Sequence, residues 1–135
     1  MEMISPTAWP ERYTFSPAVK RGNLLFISGT TATDERHQLV GRGDIVAQTR
    51  QIFRIFEAIL AAAGGSLRDI VETTEFITTT ENYRKTAEVR REVFGGPPYP
   101  AATGVIVAGL LREGALIEMS AIAILPDRRR EAGRS

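Results

Sequence analysis

Ala115-Leu116-Ile117-Glu118-Met119-Ser120-Ala121-Ile122-Ala123-Ile124-Leu125 is apolar on both sides of a two-residue period. Successive side chains of a strand point to opposite faces. Leu116, Ile122 and Ile124 therefore share one face, and Ala115, Ile117, Met119, Ala121, Ala123 and Leu125 share the other. A strand of this kind belongs inside a sheet that is buried on both sides. The rest of the chain shows two helical segments, enough to cover one side. The second side needs another partner, so an oligomer is expected.

Working outward, Asn23 to Ser28 is a short apolar run that stops at Gly29 and reads as a buried strand. The polar stretch from Thr30 to Gly43 has room for a small hairpin around His37 to Val40. Asp44 is placed to cap a helix in which Ile45, Ile52, Phe56, Ile59 and Ala63 recur at helical spacing, with Phe53 and Leu60 widening the stripe. Gly64-Gly65 ends it. Asp69 to Thr78 is rich in β-branched residues and reads as a strand. Thr80 is a candidate cap for a second helix ending near Phe94, before Gly95-Gly96-Pro97-Pro98. Ala101 to Gly109 and Ala115 to Leu125 follow as strands. Their closeness in sequence predicts an antiparallel pair joined at Arg112-Glu113-Gly114. The expected fold is α+β, a mixed sheet of about six strands covered on one face by two helices.

The 135 residues suit one domain, taken as 1–125, followed by a polar basic tail, 126–135, with Arg128, Arg129, Arg130 and Arg134. A formal charge of +1 gives no general reason to expect a nucleic-acid partner. Cysteine is absent, which removes disulfides, thiolate metal sites and cysteine nucleophiles. His37 is the one histidine and sits among Glu35, Arg36 and Gln38, as a surface residue would. That excludes a Ser-His-Asp site. No carboxylate pair has metal-binding spacing, and no glycine-rich loop leads into a helix as a phosphate cradle does. Trp9, Tyr13 and Phe15 are not interleaved with a basic stripe, so RNA cleavage finds no support. No apolar run is long enough to cross a bilayer, and the first twenty residues do not look like a signal peptide. A cytoplasmic protein without metal or cofactor is expected.

Gly22-Asn23-Leu24-Leu25-Phe26-Ile27-Ser28-Gly29, Asp44 to Gln48, Ala62-Ala63-Gly64, Asp69-Ile70-Val71, Pro100-Ala101-Ala102-Thr103 and Leu116 to Ala123 occur in that order. Together they resemble the RidA/YjgF family, also known as endoribonuclease L-PSP, which includes enamine and imine deaminases. The resemblance covers roughly Phe15 to Ile124. It implies a chorismate mutase-like homotrimer whose sheets enclose a barrel-like core, with a ligand cleft at each subunit boundary. It also implies that the cleft here is altered. Ser28 and Gly29 match the family, and Thr30 follows them. Phe15 stands where a tyrosine is common, keeping an aromatic wall without its hydroxyl. Ala87 stands for an asparagine, Ala102 for the arginine that grips a substrate carboxylate, and Ser120 for the glutamate that positions the attacking water.

Imine hydrolysis needs an electrophilic carbon, a held water and a group that moves protons. An arginine fork binds a carboxylate through paired charged hydrogen bonds that neither Ala102 nor the Thr103 hydroxyl reproduces. Serine is too weak a base to take a proton from water. Other residues are candidates to supply what is missing. Glu118 lies two positions before Ser120, on the same face, and either positions water or is a surface acid paired with an arginine. Glu75 shares a strand face with Val71, Thr73 and Ile77, and is either a buried, proton-poised acid or solvent-facing. Arg90, with Arg91 beside it, is placed on the second helix near Tyr83, Ala87 and Phe94, either as an anion grip from another direction or as an inter-subunit salt bridge or snorkelling side chain. Tyr99 either lids the cleft or packs on the last strand. The expected function is binding of a small reactive imine, enamine or carbonyl compound, with hydrolysis or rearrangement of it. The alternatives are a non-enzymatic binding or chaperone-like trimer, and an ordinary 2-iminoacid deaminase with recruited residues.

Overall fold

The two-sided strand lies at the centre of the sheet in the computed structural model, which describes residues 1–127. The strands are β1 (Glu2–Ile4), β2 (Ala18–Arg21), β3 (Leu24–Thr30), β4 (Ile70–Ile77), β5 (Ala101–Ile106) and β6 (Ile117–Ile124). Helices α1 (Ile45–Ala62) and α2 (Thr86–Phe94) follow β3 and β4 respectively. The sheet order is β1-β2-β3-β6-β4-β5. Every neighbouring pair is antiparallel except β4 and β5, which the α2 crossover makes parallel. β3 and β4 both run opposite to β6, so β3-α1-β4 is a βαβ unit split by the last strand.

α1 begins where Asp44 accepts hydrogen bonds from the Val46 and Ala47 amides, and it ends at Ala63 before Gly64 at φ 84°. Its stripe of Ile52, Phe53, Phe56, Ile59 and Leu60 is buried on Leu25, Ile27, Ile117, Met119, Ala121 and Ala123 of the sheet. Phe53 meets Phe56 and Phe94 edge-on at 6.0 and 5.5 Å between ring centroids. Gln48 is fully buried. Its amide nitrogen donates to the Gly41 and Gly114 carbonyls at 3.1 and 3.3 Å, and its oxygen accepts from the Leu116 amide at 2.8 Å. This side chain ties the loop before α1 to the turn before β6. The small hairpin is present as a Thr33–Leu39 bridge, with His37 exposed at its turn.

Three expectations are corrected. β5 and β6 are not a pair: β6, apolar on both faces, sits between β3 and β4, while β5, built largely from small residues, takes the edge. α2 starts at Thr86 rather than after Thr80, because a 3-10 turn at Tyr83–Lys85 precedes it. Val71 does not share the face of Glu75; a register shift between Ile70 and Glu72 turns it outward. β1 and β2 were not located from sequence. The tail arginines lie outside the described residues.

Opposite the helices the sheet is uncovered. Leu24 and Phe26 of β3, Ile124 of β6 and Val105 of β5 are exposed there.

Candidate functional site

The alternation of β6 puts Glu118 and Ser120 on this open face. Ser120 pairs with Thr74, and Thr74 pairs in turn with Thr103 on β5. Three hydroxyl-bearing residues thus form a row across β6, β4 and β5. The Thr74 hydroxyl donates to Glu72 at 2.7 Å. Glu118 lies opposite Phe76, and its carboxylate packs over Gly29, within 3.4 Å of where a Cβ would stand. It borders an open depression of about 370 Å³ with Phe76, Val107, Gly109, Leu110 and Leu111. Among the described residues no ion pair reaches Glu118, so the expected alternative of an arginine partner is not seen.

Glu75 is on the other face and is 2% exposed. The structure does not bring it together with Glu118 and Ser120, and it is not solvent-facing. Arg90 reaches down from α2 and donates to one Glu75 oxygen through Nε at 2.9 Å and through Nη2, while its Nη1 donates to Thr86 at 2.7 Å. The Tyr83 hydroxyl donates to the other oxygen of Glu75. Burial, then the hydrogen bond and charge of Glu75, push the Tyr83 phenol up to about 12. Arg90 is therefore in a salt bridge within its own chain, not the bridge to a neighbouring subunit that was expected as the alternative to an anion grip. Ala102 and Gly104 of β5 pair with Thr73 and Glu75 and face the same way. The Tyr83 hydroxyl lies 3.7 Å from where a Gly104 Cβ would be. Ala87 is half-buried on α2, and Arg91 is exposed. Tyr99 is exposed, with its ring edge-on to Phe94 at 6.5 Å.

Phe15 belongs to an aromatic group that sequence reasoning did not count as a site. The Trp9 ring lies 5.0 Å from Tyr13 and 5.4 Å from Phe15, and its indole N–H donates to the Phe15 carbonyl at 2.7 Å. With Met3 and Ser16 these rings line an open depression of about 430 Å³. The available signal was three aromatic residues within seven positions. The Ser28 hydroxyl donates to the Ser16 carbonyl at 2.6 Å and fastens this segment to β3, while the Thr30 hydroxyl is taken up by the Thr31 carbonyl at 2.9 Å.

The candidate residues thus fall into two groups. Phe15, Ser28, Gly29 and Thr30 lie at β3 and before it, with Glu118 and Ser120 on the adjacent β6; Ala102 and Thr103 lie on the edge strand β5, with Glu75, Ala87, Arg90 and Tyr99 beside it. Three interstrand spacings, about 14 Å, separate β3 from β5.

The family model described as Endoribonuclease L-PSP matches residues 7–125. The chain belongs to this family, RidA/YjgF. A RutC family protein of Pyrococcus horikoshii is 40% identical over 109 residues, which are 81% of this chain and 85% of that relative. The 3-aminoacrylate deaminase RutC of Acinetobacter baylyi is 33% identical over 123 residues, 90% of this chain and 96% of its own length. The crystal structure of RidA from an Antarctic Psychrobacter superposes with a TM-score of 0.81 at 35% identity, covering 93% of this chain and all of that one. A putative endoribonuclease from Thermotoga maritima gives 0.82 at 34% identity, covering 94% and 99%. The RidA fold of these neighbours has the same mixed six-strand sheet and two helices. Among the described residues no group of three acidic, histidine or cysteine side chains is placed to hold a metal ion, and no helix is long and apolar enough to cross a membrane.

Proposed function

We propose that this RidA-family chain forms a homotrimer whose inter-subunit clefts bind a small reactive imine, enamine or related carbonyl compound and hydrolyse or rearrange it. The separation of the candidate residues carries the reading. Within one copy Phe15, Ser28 and Gly29 lie on the β3 side, three strands from Thr103 and Ala102, and Glu118 on β6 lies two strands from them, too far to hold one small ligand. An uncovered apolar sheet face lies between them. Seating that face on neighbouring copies buries Leu24, Phe26 and Ile124 and sets the β5 edge of one copy beside the Phe15 side of the next. The similarity to a 3-aminoacrylate deaminase supports the reaction class.

In the proposed hydrolysis, water adds to the C=N carbon to give a carbinolamine. Proton transfer to its nitrogen then expels ammonia or an amine and leaves a carbonyl. Glu118 is the acid placed to orient that water and move its proton, since its carboxylate has no charged partner among the described residues. Phe15 supplies an aromatic wall, while Ser120 and Thr103 supply hydroxyls. Ala102 provides no grip for a carboxylate, so turnover of 2-aminoacrylate-type iminoacids is expected to be on the order of a hundredfold or more below that of an arginine-bearing relative.

Analytical ultracentrifugation at micromolar concentration is expected to show three chains per particle. Iminoacid generated by a dehydratase is expected to decay little faster with this protein than without it. A stable monomer would remove the cleft, and deamination as fast as by an arginine-bearing relative would remove the altered-site reading. Glu118→Gln, compared at equal stability on a neutral imine, is expected to lose turnover while retaining binding. Full turnover in that variant would exclude Glu118 from the proton transfers.

A further inference from the structure

Beside Thr73 and Glu75, on the helix-covered side of the sheet, β5 presents the methyl group of Ala102 and the hydrogen of Gly104, with Ile106 further along beside Ile77. A cation nevertheless remains on that side. Arg90 has a side chain one-fifth exposed, and it lies over the Tyr83 ring with Cζ 5.5 Å from the centroid. Its Nε and Nη2 are spent on Glu75 and its Nη1 donates to Thr86, so few N–H groups are left for a ligand. Glu75 has no freedom to retreat. Its backbone is held between β5 and β6, and its second oxygen is taken by Tyr83.

A carboxylate arriving at Arg90 would therefore meet an anion and a cation at nearly the same distance. In a site of low dielectric both terms grow together and nearly cancel. An uncharged carbonyl or ester oxygen incurs no such repulsion and can still accept a remaining guanidinium N–H.

We infer that Glu75 masks Arg90, so that the β5 side of the cleft accepts uncharged carbonyl or imine compounds, such as esters, amides, aldehydes and ketones, and rejects free 2-oxo and 2-imino acids. This inference rests on the ligand site proposed above. It assigns Glu75 and Arg90 to specificity rather than to the reaction itself, and it makes the missing grip at Ala102 one half of a paired device. The other half is a cation kept on hand but neutralised.

The test uses the full chain, ¹⁵N-labelled, titrated with pyruvate and with methyl pyruvate while the amides of Ala102, Thr103 and Gly104 are followed by NMR. Methyl pyruvate is expected to move these signals, with pyruvate binding at least tenfold more weakly. Glu75→Gln keeps an oxygen for Arg90 and removes the charge. In that variant pyruvate is expected to bind at least tenfold more tightly than in the wild type, with the ester within about twofold. Adding Arg90→Met should abolish the gain, a pattern that loss of structure does not produce. Pyruvate binding to the wild type as tightly as the ester overturns the inference even if no variant folds. A folded Glu75→Gln protein without the gain overturns it too. If neither probe moves these amides, the ligand site at β5 falls, and the inference with it.

Discussion

Replacing Glu75 by leucine tests how the fold tolerates the charge it keeps inside. The change removes an acceptor of two Arg90 hydrogen bonds and one from Tyr83, at a position that is 2% exposed. Breaking one partner of a buried ion pair costs about 3–5 kcal/mol, because the survivor is left uncompensated. Arg90 is partly exposed and can swing toward water, which places Glu75→Leu near the lower value, about 3 kcal/mol. Arg90→Met leaves a carboxylate with no such exit and only Tyr83 for company, so it belongs near the upper value, about 5 kcal/mol. The double variant removes both charges and fills the space with hydrocarbon, and should lie within about 1 kcal/mol of the wild type. Urea unfolding followed by circular dichroism, at one fixed protein concentration, measures all four corners of this cycle. A double variant as unstable as the two single costs added together would refute the reasoning, as would single costs below about 1 kcal/mol.

Tyr83 should give tyrosinate absorbance that appears near pH 12 and is lost in Tyr83→Phe. Its native value is raised from 10.0, so the folded state keeps a proton that the unfolded state gives up. The contribution to stability is complete below pH 10 and is lost as pH climbs toward about 12, a slope that Tyr83→Phe should flatten. Gln48→Leu orphans the Gly114 carbonyl and the Leu116 amide, while the Gly41 carbonyl keeps the Asp44 amide, and should cost about 3 kcal/mol in urea unfolding, whereas no change would mean that water replaces the lost bonds. Ala102→Arg with Ser120→Glu should raise iminoacid hydrolysis more than either change alone. No gain in a protein of unchanged subunit number would show that the pocket differs at further positions.

The helix from Ile45 was legible because a capping aspartate, a regular apolar stripe and terminal glycines all agree. The double-sided character of β6 was legible for a similar reason, since eleven residues leave little choice of face. Pairing was not. Nearness in sequence pointed to a β5–β6 hairpin, but a strand apolar on both sides is stabilised most at the centre, and β5 has too little side chain to belong there. Val71 was misplaced because a bulge breaks the two-residue period that sequence reasoning relies on. β1 is three residues long and carries no periodic signal. At the candidate site, Glu75 and Arg90 were both singled out, but not as partners. Fifteen positions and a helix crossover separate them, and that distance is closed by the fold rather than by any local pattern.

The central place of β6 has a consequence for how the chain is made. It is the last of the six strands to be synthesised, yet it separates β3 from β4 and supplies Ile117, Met119, Ala121 and Ala123 to the core. Until it arrives, β3 and β4 each have an unpaired edge and α1 lacks the middle of its floor. A growing chain therefore waits with apolar edges exposed, open to pairing with other nascent chains. A stop codon before Ile117 would leave β3 and β4 without the strand that joins them in the sheet.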